Sequence, residues 1–445
     1  MRTAARQVGY LELLHNNRNF RHLFIGQLIS QTGDWFNSVA LFTLLLELTG
    51  SNEAVGLVLI IKLLPTFFAG PLAGVFADRF NRKTIMITTD LICGVVVLGF
   101  LLVQRPDQVW LAYVLAATEI LTASFFDPAK SAAIPSIVSP EELVAANALS
   151  GASWSVTLAM GAALGGLVTA GLGRHAAFVI DSLSFFISAA FISTVRLRRG
   201  TTSGVERGRG RREPFSLAHA TGAADFVEGA RYLRSNPSVA AVLMVKCGWG
   251  LGGGVLLLLT VFGKRIFPIG REGSASIGLL YAARGIGALL GPLIATRFAP
   301  SAAAMKRAIT VAFLVSSLFY LLFAHAPFFG IALLCVVGAH SGGSIQWVYS
   351  TTLLQMSVDD RFLGRVFALD MALVTLSMSM STFATGWGLD HAGLSARTMA
   401  MILGAAFLVP AAVWFLLQRT VTSEDVRSVS NDQPVPEPER SFPPA

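Results

Sequence analysis

Residues 70–83 read Gly70-Pro71-Leu72-Ala73-Gly74-Val75-Phe76-Ala77-Asp78-Arg79-Phe80-Asn81-Arg82-Lys83. The stretch begins apolar, closes in a knot of charge and is followed at once by Thr84-Ile85-Met86-Ile87. Two apolar runs joined by so short a basic connection are expected to be a pair of membrane helices, with the hairpin on the cytoplasmic side.

The rest of the chain has the same grain. Of 445 residues, 53% are hydrophobic and only 13% charged, and the mean hydropathy is +0.63, far from the balance of a soluble domain. Apolar segments long enough for a helical span recur throughout, whereas the ten-residue alternation of an outer-membrane barrel is absent. The expected fold class is therefore an all-α integral membrane protein. The net charge of +8 sits in particular inter-helix loops, which points to topology and not to nucleic acid. Cys93, Cys247 and Cys335 all fall in apolar segments, so neither a disulfide framework nor a metal site is expected, and they read as small hydrophobes. The basic start, Arg2 to Arg21, lacks the short apolar core and cleavage site of a removable signal.

Apolar runs between polar breaks predict about twelve spans, at 22–47, 53–77, 84–103, 109–127, 143–171, 175–196, 238–262, 275–298, 308–325, 328–353, 363–389 and 396–418. An even number puts both termini on one side. Roughly 25 Lys and Arg fall on that side against about 6 on the other, so both termini are expected in the cytoplasm and the chain in the cytoplasmic (plasma) membrane. The expected organisation is a cytoplasmic segment 1–21, a six-helix bundle 22–196, a basic linker 197–237, a second six-helix bundle 238–418 and a disordered cytoplasmic tail 419–445. Gly70-Pro71-Leu72-Ala73 recurs as Gly291-Pro292-Leu293-Ile294, and Leu143 with Ala148-Leu149 lines up with Leu363 and Ala368-Leu369. Duplication into two pseudo-symmetric halves is the natural account.

With these residues in view, Gly74-Val75-Phe76-Ala77-Asp78-Arg79-Phe80-Asn81-Arg82-Lys83 resembles the loop motif G-x-L-x-D-R-x-G-R-K of the major facilitator superfamily. Phe76 replaces the leucine, and Asn81 replaces a glycine, a mild departure because asparagine tolerates the left-handed conformation. The resemblance extends from Asn19-Phe20-Arg21 through Gly33-Asp34-Trp35 to Gly364-Arg365-Val366, and the branch it most resembles is that of bacterial enterobactin and macrolide exporters. It implies two six-helix bundles rocking about a central site lined by spans one, four, seven and ten. It also implies a latch made of Gly74, Asp78, Arg79, Arg82 and Lys83, with Asp78 pairing to span eleven, where Arg365 is the candidate partner.

Ionisable residues inside apolar spans need a partner or a purpose. Gln27, Gln31, Asp34 and Ser38 are spaced 4, 3 and 4 along span one and so share one helical face. Asp34 is the leading candidate for a proton or substrate-cation site, the alternative being a structural bond to a neighbouring helix. Glu119, mid-span in segment four, is the second proton-coupling candidate. The arginine that the family usually carries in this span is missing between Trp110 and Phe126. Lys246 and Arg284 are candidates to offset these acids or to bind an anionic group of the substrate, although Lys246 could instead snorkel to the surface. In span ten His340, Ser344, Trp347 and Thr351 repeat the 4, 3, 4 spacing, and His340 and Trp347 join Gln31, Asp34, Lys246 and Arg284 as candidate substrate contacts. Lys62, Asp90, Asp181 and Asp370 are expected to make inter-helix bonds. The glycine pairs Gly70/Gly74, Gly161/Gly165 and Gly287/Gly291 allow close helix approach, and the resemblance places them between the halves.

Missing signatures narrow the class. With no GxxxxGK[ST] loop, HExxH or nucleophile elbow, neither ATP use nor enzymatic chemistry is expected, and no cofactor. The resemblance implies a proton-coupled antiporter-type exporter of small amphipathic molecules, multidrug or siderophore in kind, acting as a monomer in the lipid bilayer. A lipid flippase, an importer of the same fold and a non-transporting sensor are the competing expectations.

Overall fold

The computed structural model describes residues 9–139, 141–197, 231–295, 301–358 and 360–419; within these, the side chains at 64–72, 74, 75, 77–79, 144, 148, 295, 360, 361, 363 and 364 lie outside the description. Most of the basic linker and nearly all of the expected disordered tail therefore fall outside it. Among the described residues the regular structure is entirely helical.

The helices are α1 (Tyr10–Asn16), α2 (Arg18–Thr49), α3 (Asn52–Arg79), α4 (Arg82–Leu98), α5 (Val109–Ala123), α6 (Phe126–Ala133), α7 (Leu143–Leu172) and α8 (Arg174–Ser193) in the N-terminal part of the chain. The C-terminal part contributes α9 (Pro237–Gly250), α10 (Gly253–Val261), α11 (Ser274–Ala295), α12 (Ala302–Ala324), α13 (Phe329–Ser357), α14 (Asp360–Asp390), α15 (Ala396–Ala406) and α16 (Leu408–Leu417). Among the described residues, ten helical segments are long and apolar enough to cross a membrane. Two further helices, α2 and α3, have 32 and 28 residues.

Local chemistry sets the ends. Asn17 caps α2, its side chain accepting from the Phe20 amide at 3.0 Å, and Gly50 closes the helix with φ 65°, a conformation that glycine adopts without penalty. Asn81, expected to use its tolerance of the left-handed region, is instead extended at φ −66° and caps α4 by accepting from the Lys83 and Thr84 amides. The asparagine is there for its side-chain oxygen.

Contacts at the turns fix how the helices alternate. At one end, Lys83 donates to the Val195 carbonyl at 2.9 Å and Arg82 to the Ala132 carbonyl at 2.7 Å. At the other, Arg174 pairs with Glu47 and Arg397 donates to the Ala324 carbonyl at 2.7 Å. The end that holds residues 79–82 is the near end, and the end that holds residues 49–52 the far end.

Two expected spans are broken. Between α9 and α10 the regular i→i−4 hydrogen bonding is interrupted at Leu251 and Gly252, which keep right-handed helical angles while the Leu251 and Gly252 amides turn to the Gly248 and Trp249 carbonyls. The freed groups are satisfied from α14: Ser377 donates to the Cys247 carbonyl at 2.7 Å, Ser381 to the Leu251 carbonyl, and the Gly254 amide to Ser381 at 3.1 Å. An interrupted helix at membrane depth is tolerable only with such replacement. Between α15 and α16 the break falls at Phe407, three residues before Pro410, whose missing amide cannot continue the ladder.

The N- and C-terminal parts meet along α7 against α11 and along α3 against α14. A Cβ on Gly278 would meet the Ala162 carbonyl and lie 2.7 Å from Gly166 Cα, and one on Gly285 would lie 2.8 Å from Ala159 Cα. Backbone therefore touches backbone at this crossing. The pairs named from sequence do a different job: Gly161 and Gly165 lie against Thr32, Trp35 and Phe36 of α2, and Gly287 and Gly291 against α13 at His340, Ser341 and Ser344. Those four seat helices within one part of the chain, which corrects their expected place between the halves; Gly70 and Gly74 lie outside the described side chains.

The far end is closed by polar contacts between the two parts. Asp390, the last residue of α14, accepts from the Glu53 amide at 2.8 Å and the Ser51 hydroxyl at 2.7 Å, and also from Asn52. This places a carboxylate on the N-terminus of α3, where the helix dipole favours it. Arg265 adds a bond to the Gly50 carbonyl at 2.9 Å.

Candidate functional site

The polar face of α2 holds Asp34 in the middle of the N-terminal part. α5 brings Glu119 to it, and α8 brings Asp181. One carboxylate oxygen from each lies within 4.8 Å of the others. Asp34 is half-buried and the other two are buried. Gly33 makes this possible, since a Cβ there would strike Asp181 and Ser184, whose side-chain carbon would be 2.9 Å away.

The surroundings offer few donors. Asn37, fully buried, donates to Glu119 at 2.8 Å, and Ser184 reaches Asp181 at 3.4 Å. Lys62 is the cation that acts electrostatically on all three acids, and its ammonium donates to Ser38 at 2.9 Å. Gln31 Oε1, Asn37 Oδ1 and Asp181 Oδ2 are buried with no hydrogen-bond partner. An acceptor-rich, donor-poor cluster of this kind is completed by added protons or by a cation. A cavity of about 90 Å³ opens beside it, lined by Gln27, Gln31, Asp34, Thr89, Asp90 and Asp127 among others.

The spacing on α2 pointed to Asp34, and Glu119 stood out as a mid-span acid; the structure brings them together. Asp181 and Lys62, expected as inter-helix structural residues, belong to the same cluster. Asn37, beside Ser38 on α2, was missed. Its only signal was an amide three residues beyond Asp34.

The candidates of the C-terminal part gather elsewhere. Lys246, only 1% exposed, pairs with Asp370 of α14 and lies 4.7 Å from the centre of the Trp347 ring. It is neither at the surface nor paired to Asp34 or Glu119. Trp347 packs edge-on against Trp249 at 5.1 Å, and His340 Nε2 is 3.1 Å from the Tyr320 hydroxyl. Arg284 reaches across the α7–α11 crossing, its guanidinium 5.6 Å from the Trp154 ring. Trp249, Arg284, Tyr320 and His340 line a small cavity of about 20 Å³.

Of the expected latch, Arg82 and Lys83 bond carbonyls of the N-terminal part, Lys83 at the C-terminal end of α8 where a cation suits the helix dipole. Arg365 lies with its guanidinium 5.7 Å from the Phe362 ring. Gly74, Asp78 and Arg79 lie outside the described side chains.

A helical membrane protein with a buried acid cluster in one part and a cation-and-tryptophan site in the other has the features of a solute carrier. The family model described as transmembrane secretion effector, MFS_3, matches residues 14–443, and the chain belongs to this family of the major facilitator superfamily. It is 24% identical over 390 residues to macrolide efflux protein A of Streptococcus pyogenes, covering 84% of this chain and 90% of that protein. It is 25% identical over 365 residues to the enterobactin exporter EntS of Escherichia coli O1:K1 / APEC, covering 80% of this chain and 82% of that one. Among solved structures, a bacterial homolog of the human lysosomal transporter Spinster shares the fold with a TM-score of 0.70 and 17% identity, over 92% of this chain and 98% of that chain. The chain is thus a multi-pass membrane transporter, helical in its described regular structure, and its family and relatives are not enzymes.

Proposed function

We propose that this chain is a proton-coupled exporter of small amphipathic molecules, an antiporter of drug or siderophore type working by alternating access as a monomer in the plasma membrane. In this proposal α2 and α3 complete twelve spans in two six-helix bundles, and both termini are cytoplasmic. The observation that carries it is the convergence of Asp34, Glu119 and Asp181 within 4.8 Å. Three carboxylates in a low-dielectric site cannot all stay ionised beside one lysine, so the cluster takes up and gives back protons as its access changes. Exporting relatives support the direction.

The closed far end gives the cycle its geometry. With Asp390 on the α3 N-terminus, substrate enters from the near end. In the opposite state the near end closes, and the 74–83 latch engages α14, Asp78 pairing with Arg365. Gln31 and Asp34 contact substrate from the N-terminal part, and Lys246, Arg284, His340 and Trp347 from the C-terminal part.

Efflux of a drug and of a siderophore from proteoliposomes, with and without an imposed pH gradient, tests the proposal for wild type and Asp34→Asn. Gradient-driven efflux in wild type and its loss in the variant are expected. Efflux by wild type that ignores the gradient, or an unimpaired variant, would refute proton coupling through this cluster. Asp78→Asn is expected to slow transport with substrate affinity kept, and a large loss of affinity would contradict the latch.

A further inference from the structure

We propose that the molecule this transporter carries bears an anionic group, a carboxylate, sulfonate or phosphate, on an aromatic body, and that Arg284 receives the anion. The inference rests on the export proposal above and adds the charge class of its substrate.

Arg284 is 9% exposed, midway along α11. Two buried lysines have carboxylates: Lys246 pairs with Asp370, and Lys130 with Asp127 at 2.6 Å. Among the described residues no carboxylate pairs with Arg284. The ionisable groups that surround it are Tyr281, Tyr320 and His340, none of which is anionic at neutral pH. A single ring, that of Trp154, faces the guanidinium, and a ring face cannot satisfy five N–H donors. A lone charge held at membrane depth is costly, and residues kept there at such cost mark substrate pathways.

The chemistry of the missing partner follows from the fork. A guanidinium presents parallel N–H groups matched to the two oxygens of a carboxylate or to those of a sulfonate or phosphate. The walls around it are aromatic: Trp249, Tyr320 and Phe407 line the same cavity, and Trp154 reaches in from α7. Flat π faces suit an aromatic body.

The cavity now has about 20 Å³, room for roughly one water, so the ligand enters when α7 and α11 part. Trp154 comes from the N-terminal part and Arg284 from the C-terminal part, so such parting withdraws the ring from the guanidinium and opens the position it covers. The acid cluster belongs to the N-terminal part, on α2, α5 and α8. A cationic group would choose ionised Asp34, whereas the anionic group is drawn to Arg284 and meets Asp34 only in its protonated form.

Quenching of intrinsic tryptophan fluorescence tests this on the purified full chain in detergent. The probes are naphthoate, its neutral amide, and the matching naphthylmethylammonium. Saturable quenching by naphthoate is expected, with a Kd at least about tenfold below that of the amide, the ratio that one added charge-assisted hydrogen bond supplies. Arg284→Gln should erase the preference. Arg284→Lys, which keeps the charge without the fork, should retain it with weaker binding, and a monodisperse elution profile for both variants excludes misfolding. Equal binding of acid and amide by wild type, no saturable binding of any probe, a preference for the ammonium, or an undiminished preference in Arg284→Gln would each overturn the proposal. Gradient-driven efflux that persists with no anion preference would remove the anion and leave the export proposal standing. Anion preference without efflux would do the reverse.

Discussion

Adding a single methyl group at the α7–α11 crossing should move the whole transporter. In Gly278→Ala the new Cβ would lie 2.7 Å from Gly166 Cα and even closer to the Ala162 carbonyl. Both obstacles are backbone, so no side-chain rotation relieves the clash. Ordinary van der Waals separation requires the two helices to part by about 1 Å, an overpacking that costs about 1–3 kcal/mol. That cost falls on the state in which the crossing is closed. A change of this size shifts a two-state equilibrium about 5- to 150-fold. Gly270 would carry its Cβ against Ala170, so a cysteine at Ala170 reports on the far end. With the native cysteines replaced, labelling of Ala170→Cys by a membrane-impermeant maleimide should speed up several-fold or more in the Gly278→Ala background. Gly285→Ala, opposed by Ala159 Cα at 2.8 Å, should act alike. Gly151→Ala, with nothing within 4 Å of its Cβ, should leave the rate at its wild-type value. Equal labelling across all three variants would show that the crossing is not what holds the far end shut.

Other outcomes follow from the described contacts. Lys246→Met strands Asp370 in the interior and should cost about 3–5 kcal/mol in thermal or denaturant unfolding, while the double variant with Asp370→Leu recovers most of it. Ser381→Ala leaves the Leu251 carbonyl and the Gly254 amide without their partner and should destabilise by about 1–3 kcal/mol, with hydrogen exchange rising at residues 250–254. Asp390→Ala removes the acceptor from the N-terminus of α3 and should raise labelling of a cysteine at Ser51; unchanged labelling would show that the clasp is idle. Asp181→Asn should impair gradient-driven efflux as Asp34→Asn does, and a fully active variant would remove Asp181 from the proton cluster.

Much of the fold was legible because a lipid-exposed helix declares itself by length and by freedom from charge. The pairing of the helices was not. Asp34 could be singled out as a candidate because its polar neighbours repeat at helical spacing on one chain segment. Asp181 could not be joined to it, because the contact depends on which face of α8 meets α2, and only Gly33 across the interface hints at that. The glycines show the same limit. A pair four apart predicts close approach but not the partner, and Gly161 and Gly165 turned out to seat Phe36 and Trp35, while the unpaired Gly166, Gly278 and Gly285 touch the other part of the chain. Lys246 and Asp370 are 124 residues apart, so no local pattern could join them. The break at Leu251 and Gly252 did have a local signal in the run Gly248-Trp249-Gly250-Leu251-Gly252-Gly253-Gly254, but hydropathy alone reads straight through it.

The serines that repair that break give α14 a mechanical character. Because Ser377 and Ser381 hold the loose carbonyls of residues 247 and 251, α9, α10 and α14 form one plank whose members cannot slide without breaking hydrogen bonds. Asp390 pins the end of this plank to the N-terminus of α3. With 31 residues, α14 is about 45 Å long at 1.5 Å per residue, so turning it by about 10° on that pin would swing its other end through about 8 Å. The far end of the molecule would then be the fulcrum, and a few ångströms lost there would be returned as a doorway at the near end.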